Sequence, residues 1–98
     1  RPMSLSEMTR MEATVKGLVQ GVFFSQYTLQ EAQRLGLVGW VANLPDNSVR
    51  VVAEGDEATL RRMLAFLHEG SPAARVETVA VEWSAAAGEF NAFRVRYL

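Results

Sequence analysis

Gly17-Leu18-Val19-Gln20-Gly21-Val22-Phe23-Phe24-Ser25 is the stretch on which the reading of this chain turns. Ahead of it, Met11, Ala13, Val15, Gly17 and Val19 alternate with Glu12, Thr14, Lys16 and Leu18, a period of two that predicts a half-buried strand. Behind it, Phe24, Thr28, Ala32 and Leu35 recur at helical spacing, with Gln26, Gln30, Gln33 and Arg34 on the other face. Gly36 stands where a left-handed helix stop belongs. The chain therefore passes from strand to helix through a loop with two glycines. Glycines let backbone N–H groups crowd around a small anion, and a helix N-terminus adds partial positive charge there. Ser25 is the awkward residue, because an anion site calls for a cation at that place.

The same reading extends along the chain. Val38–Asn43 and Val49–Glu54 are two strands joined by the turn formers of Leu44-Pro45-Asp46-Asn47-Ser48, with Asn47 suited to a positive φ. Asp56 is the N-cap of a second helix whose apolar stripe is Leu60, Met63, Leu64 and Leu67, ended by Gly70 and Pro72. Arg75 to Trp83 alternates as a strand, Ala85-Ala86-Ala87-Gly88 is a loose connector, and Phe93, Val95 and Tyr97 alternate in a last strand. The order β-α-β-β-α-β-β predicts an α+β sandwich, a split βαβ unit with one added strand and two helices on one face of a largely antiparallel sheet. Residues 1–9 are expected to be a flexible tail, and residues 10–98 a single domain.

Composition narrows the function. Of 98 residues, 49% are hydrophobic and 21% charged, with a net charge of −1, so no general electrostatic pull toward nucleic acid or acidic membrane follows. Without cysteine there is no disulfide, thiolate metal site or thiol nucleophile, which fits the cytoplasm. No apolar run approaches the roughly 18 residues of a membrane span. A metal is not expected, because the one histidine, His68, falls near the end of the second helix, where a cation suits the helix dipole.

Two motifs lift the glycine loop above a simple turn. Residues 17–24 read Gly-Leu-Val-Gln-Gly-Val-Phe-Phe, and residues 36–43 read Gly-Leu-Val-Gly-Trp-Val-Ala-Asn. Together they resemble the two signatures of the acylphosphatase family, Gly-x-Val-Gln-Gly-Val-x-Phe-Arg and Gly-x-x-Gly-Trp-Val-x-Asn, in order and at the family's separation. The resemblance runs from about Met11 to the C-terminus. It implies a five-stranded, mostly antiparallel acylphosphatase or ferredoxin-like sandwich and a hydrolase cleaving the carboxyl-phosphate bond of small acyl phosphates, without a cofactor. It further implies that Gln20, Gly21, Val22, Phe23 and Phe24 cradle the phosphate through backbone N–H groups, and that Asn43 holds the attacking water. The expected partners are a small acyl phosphate or inorganic phosphate, with no nucleic acid or membrane, and the expected state is a monomer.

Ser25 departs from the pattern, since the family carries arginine there. A guanidinium brings a permanent charge and a two-pronged fork; a hydroxyl brings one neutral donor. Lys16, Arg94 and Arg96 are candidate substitutes, although Lys16 alternates away from the loop's inner face. Ser25 also has a structural reading as the N-cap of the first helix. Trp40 and Phe24 read as core. The alternative to an enzyme with impaired turnover is a catalytically silent anion-binding or interaction module on the same fold.

Overall fold

The computed structural model describes residues 4–98. Its elements follow in the order β1 (Thr9–Leu18), α1 (Phe24–Arg34), β2 (Val38–Asn43), β3 (Val49–Gly55), α2 (Glu57–Glu69), β4 (Arg75–Ala85) and β5 (Phe93–Arg96). Of the tail expected over residues 1–9, the first three lie outside the described residues. Leu5–Glu7 form a 3-10 turn, and the main strand is already under way at Thr9.

The five strands make one sheet in the order β4-β1-β3-β2-β5. β1 is an interior strand, antiparallel to β3 from Thr9 opposite Gly55 to Val15 opposite Val49, and antiparallel to β4 from Thr9 opposite Ala85 to Leu18 opposite Arg75. β5 runs parallel to β2, with Gly39 opposite Phe93 and Ala42 opposite Arg96. The sheet is thus mostly antiparallel, as expected, with β5 parallel to its neighbour β2. The connection from β4 crosses the sheet to its far edge, and β5 enters there in the direction of β2.

Alternation along the strands decides which face is covered. Met11, Ala13 and Val15 of β1 share a buried cluster with Val49, Val51 and Ala53 of β3 and Val41 of β2. Phe24 and Ala32 of α1 and Leu60, Met63 and Leu67 of α2 close that cluster from one side. Both helices are bounded as their sequences dictate. After α1, Gly36 takes φ 71°, its N–H bonds the Gln33 carbonyl, and the Leu37 N–H bonds the Ala32 carbonyl. Asp56 caps α2 by accepting the Thr59 N–H at 3.2 Å.

The opposite face of the sheet carries charge. Glu12 accepts from Arg10 and Arg50, and Arg10 reaches on to Glu54 and Glu89. Glu54 is 1% exposed and also accepts the N–H groups of Ala87 at 2.9 Å and Gly88 at 3.1 Å. A buried carboxylate without donors would be costly, and here the connector supplies them. The stretch read as a loose connector is thus tied to the middle of the sheet. Trp40, expected in the core, lies half-buried on this open face with the Arg96 guanidinium 4.9 Å above its ring, whereas Phe24 is buried as expected. Tyr97 falls beyond β5 and is 90% exposed.

Candidate active site

The loop begins where β1 bends. The register against β4 shifts between Lys16 and Gly17, and Gly17 takes φ 136° so close to β4 that an added Cβ would sit 2.1 Å from the Arg75 carbonyl oxygen. Only glycine permits that approach. The shift turns Val19 back into the core, and Gln20–Phe23 then bend away from the sheet. Gly21 adopts φ 74° with open space around it, so backbone freedom alone accounts for glycine there. Phe23 is left-handed at φ 60°, an uncommon conformation for a bulky residue, and is 73% exposed.

This bend places the start of α1 two residues earlier than a Ser25 cap requires. Phe23 occupies the N-cap position, its carbonyl accepting the Tyr27 N–H at 3.0 Å, and no side chain caps the helix. The capping role read for Ser25 is corrected accordingly: Ser25 is inside the first turn. With no side-chain cap, the first-turn N–H groups are left facing outward beside the loop, where the helix dipole favours an anion.

Two tethers hold the loop. Gln20 Nε2 donates to the carbonyls of Leu44 and Ser48, each at 2.9 Å, tying the loop to the turn between β2 and β3. Buried Ser71, in the turn after α2, donates from its hydroxyl to the Val22 carbonyl at 2.8 Å. The turn bearing Asn43 is itself fixed: the Leu44 N–H bonds the Ser48 carbonyl, Asn47 takes φ 72°, and Asp46 accepts from the Ser48 hydroxyl and N–H. Those two donors hold the Asp46 carboxyl below its ordinary range.

Asn43 ends β2 with its side chain exposed and comes to the loop. The Ser25 hydroxyl lies 3.4 Å from its Oδ1, at the long limit for a hydrogen bond. Ser25 and Asn43, with Gln26, Val95, Arg96, Tyr97 and Leu98, line a cavity of about 280 Å³. Of the three candidate cations, Arg96 lines this cavity. Lys16 faces a separate depression with Asp46, Asn47, Ser48 and Glu77, and Arg94 lies beside Trp40 and Phe90 on the open face. Among the described residues no group of three His, Asp or Glu side chains could hold a metal. None of the described helices is long and apolar enough to cross a membrane.

Sequence reasoning credited Gln20 with its backbone alone and passed over Ser71. The Gln20 carboxamide works across 24 and 28 residues and the Ser71 hydroxyl across 49, and no local pattern announces contacts at that range.

Fold and loop together define a two-layer sandwich whose strand–loop–helix bend presents backbone donors beside an asparagine. Comparison with known proteins gives that class its family. The Acylphosphatase family profile matches residues 11–95. The chain is 43% identical over 93 residues to an acylphosphatase of Anaeromyxobacter dehalogenans, covering 95% of this chain and 100% of the relative. It is 49% identical over 87 residues to one of Salinibacter ruber, covering 89% and 92%. In three dimensions it superposes on the crystal structure of acylphosphatase from Bacillus subtilis with a TM-score of 0.88 and 32% identity, over 91% of this chain and 99% of that one. An acylphosphatase structure from Coxiella burnetii gives 0.86 and 38%, over 92% and 94%. The chain belongs to the acylphosphatase family.

Proposed function

We propose that this chain hydrolyses the carboxyl-phosphate bond of small acyl phosphates, at a rate reduced because Ser25 stands where the family pattern has arginine. The observation that carries the reading is the meeting of the Gln20–Phe24 loop with Asn43 across the Ser25 contact. In this scheme the phosphoryl oxygens lie against the backbone N–H groups of Gln20 to Phe24. The Asn43 amide orients water in line with the bridging oxygen. The water oxygen bonds to phosphorus while the bridging P–O bond breaks. Its electron pair leaves with the carboxylate, and the proton of the water passes to phosphate or solvent. An amide suits the task because it orients water without needing a matched pKa, and fixed backbone donors stabilise charge spread over the phosphoryl oxygens. The cysteine-free sequence supports a cytoplasmic location for this chemistry.

Cations aimed at a transferring phosphoryl group are worth about 10³–10⁵ in rate, whereas a neutral oxyanion donor is worth about 10²–10³. Hydrolysis of an aromatic acyl phosphate by this protein and by Ser25→Arg tests the reading. The variant is expected to gain about 10²-fold or more in kcat/KM. Equal turnover would mean that Ser25 costs the site nothing. A protein inactive in both forms that still binds inorganic phosphate would be the silent anion-binding module instead.

A further inference from the structure

The parallel pairing of β2 with β5 brings the ends of both strands to one edge of the site. Ala42 is opposite Arg96, so strand alternation turns Asn43 to the helix face and Arg96 to the open face, yet on the edge strand β5 Arg96 still lines, with Asn43, the cavity that Ser25 opens. Every other arginine near the site has another setting. Arg10 and Arg50 are paired with Glu12, Glu54 and Glu89, and Arg94 lines the open-face depression beside Trp40, which Arg96 borders as well as the Ser25 cavity. Among the described residues Arg96 has no carboxylate partner. Its guanidinium rests on the half-buried Trp40 ring at 4.9 Å. A cation–π contact at an exposed site is weak beside a charge-assisted, two-pronged bond from guanidinium to phosphate. Trp40 is thus a resting place that the side chain can leave when a stronger anion arrives.

We propose that Arg96 is a catalytic residue of this chain. On binding of the phosphoryl group it leaves Trp40, turns into the cavity and supplies the positive charge that Ser25 lacks. The assignment rests on the acyl phosphate hydrolase reading above. It accounts for a cavity with an arginine on one wall and a serine on the other, and it gives the fork-shaped donor to a different strand from the loop itself. Ser25 keeps the room open for that fork, where a longer side chain would fill it.

The test is a double-mutant cycle of wild type, Arg96→Gln, Ser25→Arg and the two combined, with Arg96→Lys as the charge-conserving control and thermal melts to confirm folding. Kinetics with an aromatic acyl phosphate are joined by titration with inorganic phosphate, read by Trp40 fluorescence in a Trp83→Phe background. Arg96→Gln is expected to lower kcat/KM about 10²-fold beside Ser25 but less than about threefold beside an arginine at position 25, with Lys recovering part of the loss. Phosphate is expected to change Trp40 emission, and Arg96→Gln to abolish the change. An equal loss in both backgrounds would make Arg96 a structural residue and overturn the proposal, as would unchanged phosphate affinity in Arg96→Gln. If no form hydrolyses the acyl phosphate, the hydrolase reading falls, and the phosphate titration still decides whether Arg96 meets the anion.

Discussion

Replacing Gln20 by methionine removes one carboxamide and keeps the length and much of the volume of the side chain. Two hydrogen bonds go with it, those to the carbonyls of Leu44 and Ser48. A neutral hydrogen bond contributes about 0.5–1.5 kcal/mol net, and an abandoned buried acceptor costs more. Here neither acceptor is abandoned: the Leu44 carbonyl keeps the Asn47 N–H at 3.2 Å and the Ser48 carbonyl keeps the Leu44 N–H at 2.9 Å. The loss therefore belongs at the lower end, about 1–2 kcal/mol, equivalent to about 4–16 °C in Tm for a domain of this size. The effect on catalysis should exceed the effect on stability. These bonds couple the loop proposed to cradle phosphate to the turn that carries Asn43, and a displacement near 1 Å at a reacting centre costs about 10²-fold. Urea unfolding followed by tryptophan fluorescence gives the first quantity, and acyl phosphate hydrolysis at saturating and limiting substrate gives the second. The companion variant Gln20→Glu, with acceptors facing acceptors, should fare worse at neutral pH and recover in acid, where its protonated carboxyl can donate one bond again. Unchanged Tm and unchanged kcat in Gln20→Met would refute the coupling.

Thr28 is fully buried in α1 and its hydroxyl has no hydrogen-bond partner among the described residues, so Thr28→Val is expected to raise stability by about 1 kcal/mol, read from the urea midpoint. Glu12 is held below its ordinary range by hydrogen bonds first from Arg50 and then from Arg10. Its depressed folded pKa contributes stability that is complete above the ordinary carboxylate pKa and is lost as pH falls through the folded value. The stability gap between wild type and Glu12→Gln should hold steady above about pH 5 and close in acid below about pH 4. A gap independent of pH from 3 to 7 would count against the ion pairs.

The framework of the molecule was legible because short-range patterns carry it. Alternation found the strands, 3.6-residue spacing found both helices, and Gly36 and Asp56 marked their ends where the structure has them. What escaped was set by distance in sequence. The half-exposure of Trp40 depends on which neighbour lies beyond β2, and β5 comes from the far end of the chain to lie there. Glu54 looked like one more strand residue because its donors at Ala87 and Gly88 are more than thirty positions away. At the site, the spacing of glycines and the motif around Asn43 pointed to the loop, yet the start of α1 was misjudged. A left-handed Phe23 is a conformation that residue type argues against, and it moved the cap from Ser25.

The interior position of β1, between β4 and β3, has a consequence for how the protein is made. Its two neighbours are β3 and β4, and β4 is drawn from residues 75–85, so the outer edge of β1 stays unpaired until most of the chain has left the ribosome. Pairings between such remote segments impose a large loop-closure cost before they give any return, and sheets built this way fold in roughly milliseconds to seconds rather than microseconds. During that interval an apolar strand edge is available to other chains, which makes nascent molecules more exposed to mispairing than finished ones. Slowing synthesis between β3 and β4 should therefore lower the soluble yield, while the same pause placed after β4 should leave it unchanged.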